Sequence, residues 1–316
     1  MLVSLLKDLP DVFEANVLPR LGIRDHIALA GVNRACRGAL KEVEGVRWLM
    51  SQGDEWEKEL FKELFGLSER RYVVCEKAAR DGHLEVLRWA RARGCEWSWR
   101  TCARAAEGGH LEVLKWLRAN GCEWSGNTCA NAAAGGHLEV LRWARENGCE
   151  WDWDWTICAY AAGGGHLEVL RWARENGCPL VSSTCRSAAA GGHLEALKWA
   201  REHGCEWDAQ TCAYAAQGGH LEVLQWAWEN GCEWDAQTCA RAAGGGHLEV
   251  LQWARANGCP WNWETCARAA RGGHLKVLQW ARENGCPWDA RTTQFASEGG
   301  HLEVRQWAME NGCPLL

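Results

Sequence analysis

The sequence predicts an all-α fold, a helical-repeat solenoid of nine helix-turn-helix units. Three observations carry that prediction. A Gly-His pair recurs at His83, His110, His137, His166, His193, His220, His247, His274 and His301, every 27 residues except for one step of 29. The apolar residues that follow each His recur at helical spacing. The composition is also skewed as copying of one unit would skew it, with 35 Gly, 18 Cys and 23 Trp against 3 Tyr, 3 Met and 4 Phe in 316 residues.

With the His as position zero, each unit opens on a pattern Thr-Cys-Ala-x-Ala-Ala-x-Gly-Gly, as in Thr211 to Gly219. It predicts a first, shorter helix that Thr caps, whose small residues let a neighbouring helix approach and whose Gly pair ends it in a tight turn. The His then opens a second, longer helix, with Leu at +1, Val at +3, Leu at +4, Trp at +6 and Ala at +7. Positions +1, +4 and +7 form one apolar stripe, widened by +3 and part of the indole. Glu at +2 suits the helix dipole, and Arg or Lys at +5 can pair with it. Asn-Gly, as in Asn120-Gly121, supplies a left-handed ending. A single hairpin of this kind cannot bury its apolar face, but stacked hairpins can.

The net charge of −6 and pI near 6.0 leave no basic excess for a phosphate backbone, so nucleic acid is excluded as a main partner. The start, Met1 to Pro10, lacks a secretory apolar region, and no stretch approaches the roughly 20 apolar residues that span a bilayer. An intracellular protein, cytoplasmic or nuclear, is expected, with no membrane partner and with reduced thiols. Apart from Cys36, the cysteines sit at −8 and +12, and neighbours such as Cys95 and Cys102 are seven apart, outside zinc-knuckle spacing. Buried free thiols are expected, with no metal and no cofactor. The repeated His is expected to hydrogen-bond at the turn, reaching a neighbouring loop or carbonyl. Without a partnered nucleophile or carboxylate pair it makes no active site, so the chain is read as a non-enzyme. The Trp columns at +6 and +14 read as packing, whereas Trp99, Trp153, Trp155, Trp228 and Trp263 stand outside those columns.

The run Ala-Ala-x-Gly-Gly-His-Leu-Glu-Val-Leu-x-Trp-Ala-x-x-x-Gly-Cys-x-Trp-Asp resembles the ankyrin repeat over residues 73–316. Trp replaces the family's first Leu, Ala its second, and Cys the Ala after Gly. The Thr-Pro-Leu-His signature is missing, and the repeat is shorter than the family's roughly 33 residues, which implies hairpins without the β-finger. The resemblance also implies a concave face built from the first helix and the loop before it. There the varying residues Arg104, Trp153, Trp155, Tyr160, Tyr214, Arg241, Arg268 and Phe295 form the expected surface for a protein target, on a monomeric chain.

Residues 1–48 do not fit the repeat. Leu9-Pro10, Val17-Leu18, Leu21, Asp25 and Val32-Asn33-Arg34-Ala35-Cys36-Arg37 resemble an F-box. That resemblance implies a ubiquitin-ligase adaptor as second partner, met by Leu9, Pro10, Val17, Leu18 and Leu21. The other reading is a helical cap that shields the first repeat, leaving a free-standing scaffold or inhibitor. Residues 49–72 read either as a connecting amphipathic helix or as a decayed repeat.

Overall fold

The computed structural model describes residues 72–92, 94–149 and 155–314. The F-box-like residues 1–48, most of the connecting stretch and Trp153 lie outside them. The described residues divide into two compact units, one reaching to Thr128 and including Arg142–Cys149, the other made of Cys129–Leu141 and the residues from 155 onward. Among the described residues every regular element is an α-helix, and these alternate as first and second helices of successive hairpins. The first unit opens with α1 (Tyr72–Arg80), α2 (Leu84–Ala92), α3 (Trp99–Glu107) and α4 (Leu111–Ala119). The second closes with α17 (Ala290–Glu298) and α18 (Leu302–Glu310). Among the described residues no strand stands between hairpins; the link from α4 to the next helix is the six-residue stretch from Asn120 to Ser125. No helix among them is long and apolar enough to cross a membrane.

The two helices are of nearly equal length, and the first is the shorter only at Thr156–Gly163, with 8 residues against 9 in Leu167–Glu175. Ala209–Gly218 has 10 residues and Leu221–Glu229 has 9. Thr does not cap the first helix. The cap is three residues earlier, where Asp208 accepts from the Gln210 N–H and Asp235 from the Gln237 N–H, at 3.1 and 2.9 Å. An Asp, Asn or Ser in extended backbone reaches the second amide of the helix, which leaves the Thr inside the first turn. There Thr211 and its equivalents are fully buried. The Asn that ends the second helix keeps a right-handed backbone and lets the following Gly121 take φ +80°. Its side chain is used too: Asn230 donates from Nδ2 to the Trp226 carbonyl at 2.8 Å.

Within the second unit, successive first helices pack directly on one another, more closely than successive second helices do. Alanine makes this possible, since Ala215, Ala216, Ala242 and Ala243 are fully buried between them. On the second helix the core positions are +3, +4 and +7, as with Val223, Leu224 and Ala227. Leu at +1 is only half-buried, and Leu302 is 71% exposed. The side chain of a helix's first residue points back toward its N-terminus, here over the turn instead of toward the neighbouring helix.

Apart from buried Trp199, the described Trp columns are not core either. Trp207 meets Trp226 edge-on at 5.7 Å, and Trp261 meets Trp280 at 5.9 Å, all half-buried. Arg201 lies 4.1 Å over the Trp207 ring, and Arg118 both covers Trp124 at 4.2 Å and donates to the Cys122 carbonyl at 2.7 Å. An indole is too large for a core of Ala, Cys and Val, so it closes the edge of each hairpin under an arginine. In one repeat Trp228 replaces that arginine and stacks on Trp234 at 5.3 Å instead.

The thiols are buried and unbridged at every described cysteine. Their neighbours are not those adjacent in sequence. Cys212 pairs with Cys232, 20 residues on, and that hydrogen bond, with burial, raises its pKa well above the ordinary thiol range while drawing Cys232 down. Cys232 in turn donates to the Asp208 carbonyl at 3.4 Å, tying the end of one hairpin to the cap of its own first helix. Burial pushes Cys75 up to about 12.

Candidate functional site

The candidate site lies on the outer side of the first helices, where −6 and −3 fall three residues apart on one face. In the second unit the caps at Asp208, Asp235, Asn262 and Asp289 fix where each helix starts, and therefore which residues face outward. The turn that follows fixes the spacing. The repeated His sends Nε2 to a carbonyl of the preceding repeat in the central copies: His220 to Ala190 at 3.1 Å, His247 to Gln217 at 3.0 Å and His274 to Gly244 at 3.1 Å. Because the partner is a carbonyl, Nε2 must carry the proton.

Trp155 and Tyr214 line one hollow of about 470 Å³ together with Val181, Ser182, Ser183 and Arg186. Arg241, Arg268 and Phe295 line a second, of about 510 Å³, with Trp263, Glu264 and Arg271. Arg241 lies 4.3 Å over the Tyr214 ring, so this pair forms the partition between the two hollows. Its guanidinium also donates to Gln217 at 2.7 Å and Gln210 at 3.2 Å, two neutral acceptors. Arg268 reaches Gln237 at 3.2 Å and lies 3.8 Å from Glu264. Arg271 sits 5.6 Å from the Phe295 ring. Tyr160 is 50% exposed and Trp155 48%, although Tyr160 lines neither hollow. Arg104 belongs to the first unit, where it is held by Glu107 at 2.6 Å.

Arg186 escaped the sequence reading because it stands at −7, not at −6 or −3. Its signal was legible in the columns, since that position is Ala in most repeats, and Ala213 and Ala240 are fully buried there. A guanidinium cannot follow them into the core, so Arg186 turns outward, with Nη2 on Ser182 Oγ at 2.9 Å. Trp263 and Arg271 sit in irregular or varying columns of the sequence, and only packing shows that they share a wall.

The chemistry available here is recognition. Among the described residues no cluster of His, Cys, Asp and Glu could hold a metal ion. The lining offers aromatic faces, guanidinium donors and small gaps at Gly244 and Gly245.

A family model described as "Ankyrin repeats (many copies)" matches residues 129–174 and 185–228. Among solved structures, the chain is similar to the crystal structure of the human ASB11 ankyrin repeat domain, at 20% identity and TM-score 0.40, over 50% of this chain and 84% of that one. No curated protein matches the sequence. The matched segments are ankyrin repeats in an all-helical setting, and such repeats indicate a protein–protein interaction scaffold.

Proposed function

We propose that the chain is a substrate-recruiting adaptor. The first-helix face of residues 73–316 holds a protein target, while residues 1–48 act as an F-box-like segment that docks on a cullin-type ubiquitin ligase. The observation that supports target binding is the pair of adjoining hollows, walled by Trp155, Tyr214, Trp263 and Phe295 and joined at Arg241. Aromatic and arginine side chains dominate the energetics of protein interfaces, and the repeat itself packs without them in other copies. Arg104, Tyr160 and Trp153 extend the same reading to other repeats.

Affinity capture with the full chain tests both halves. Tyr214→Ala and Trp155→Ala are expected to weaken target capture about 30-fold or more while leaving the melting temperature nearly unchanged. Arg174→Ala, exposed on a second helix, is expected to do neither. Equal losses from Arg174→Ala and Tyr214→Ala would overturn the assignment of the face. Replacing Leu9 and Leu18 with Ala is expected to abolish ligase association with the repeats still folded. Ligase absent from the parent capture, together with a large stability loss in that variant, would favour the cap.

A further inference from the structure

Charge is segregated within the second unit. Its first helices carry Arg186, Arg241, Arg268, Arg271 and Arg291 against only Glu264 and Glu298, although the whole chain has a net charge of −6. Three of these arginines and one glutamate line the larger hollow, and Arg186 alone supplies the charge of the smaller one. None of the acceptors met by Arg186 and Arg241 is charged: they bond to Ser182, Gln210 and Gln217. Both guanidinium groups also bury an Nε that meets no acceptor.

From this we infer that the groove formed by the two hollows takes an acidic, extended segment of a partner protein. Its carboxylates would meet Arg186 on one side of the Tyr214–Arg241 partition and Arg241, Arg268 and Arg271 on the other. Apolar side chains between them would lie on Trp155, Trp263 and Phe295. The inference rests on the protein-binding reading above and names the chemistry of the target. An arginine excess on one face selects an anionic partner and repels a basic one. The arginines are divided between the two hollows, Arg186 in one and Arg241, Arg268 and Arg271 in the other. That distribution suits several single carboxylates better than one dianionic phosphate, which favours convergent guanidinium groups. Gly244 keeps the floor open: a side chain there would lie 3.3 Å from Cβ of Arg268 and fill the space between Gln217 and Arg271.

Fluorescence anisotropy with the full chain tests the assignment. The probes are a short labelled peptide of alternating Glu, Leu and Gly, the same peptide with Gln for Glu, and one with phosphoserine for Glu. The Glu peptide is expected to bind at least about ten-fold more tightly than the Gln peptide and to weaken with added salt. Arg186→Gln and Arg241→Gln, each still folded by circular dichroism, are expected to weaken it about ten-fold, while Arg171→Gln on a second helix leaves it unchanged. Equal binding of the Glu and Gln peptides would overturn the inference, as would equal loss in Arg171→Gln. So would binding of the phosphoserine peptide alone. If target capture still depends on Tyr214 while the acidic peptide fails, the carboxylate assignment is lost and the protein-binding reading stands. Capture that ignores Tyr214 removes both.

Discussion

The His220 imidazole sits in a slot made by two repeats, with Nε2 3.1 Å from the Ala190 carbonyl and the ring pressed against Gly192 of the preceding turn. A Cβ at Gly192 would lie 2.5 Å from Nδ1, and one at Gly218 would lie 2.9 Å from the Ala190 oxygen. Gly192 also takes φ +77°, so backbone conformation and lack of space require glycine there for independent reasons. The recurring Gly-Gly-His is therefore an inter-repeat clasp.

His220→Ala should leave the Ala190 carbonyl without its donor and a void over Gly192, at a cost of about 1–3 kcal/mol. Gly192→Ala should cost at least as much, because the ring cannot move without losing its bond. Urea unfolding of the two variants measures both, and a change below about 0.5 kcal/mol in His220→Ala would refute the clasp.

Trp199 should be the most costly of the +6 tryptophans to remove. It is 9% exposed, and His203, which replaces the usual Asn, stacks on it at 4.2 Å while donating from Nδ1 to its carbonyl. Trp199→Ala should cost about 3–5 kcal/mol, and half-buried Trp226→Ala or terminal Trp307→Ala distinctly less. Thermal melts of the three variants check the order. Equal losses would mean that burial does not set the cost.

Native protein should react slowly with a thiol reagent, since burial excludes the reagent and holds Cys75 and Cys212 above their ordinary pKa. Denatured protein should release all 18 thiols. Fast native labelling, or fewer thiols after denaturation without reductant, would contradict the buried free pairs.

Stability should fall on mild acidification. Burial lowers the His193 pKa below its ordinary 6.5, and the bond to the Gly163 carbonyl offsets this only in part; His83 is lowered by burial as well. A histidine whose folded pKa lies below its unfolded one contributes stability above the unfolded value, and loses it as pH falls toward the folded one. The urea midpoint is thus expected to be lower at about pH 5 than at about pH 7.5. A midpoint unchanged or higher at the acid end would contradict burial of the neutral rings.

Local order was readable from the sequence by itself. A 27-residue period, a 3.6-residue apolar rhythm, paired glycines and acidic residues in first turns specify where helices begin, end and bend, because these depend on neighbours a few residues away. Lys198 meeting Glu195 at 2.9 Å is of that kind. Only the tertiary structure decided which Cys meets which, that His220, His247 and His274 each bond a carbonyl 30 residues back, and that most indoles close an edge instead of filling the core. It also decided that Arg186, displaced from an alanine position, shares a hollow with Tyr214 from the next repeat. These partners are set by how closely Ala-rich helices of adjacent repeats approach. That distance follows from the summed packing of many side chains and is carried by no short stretch of sequence.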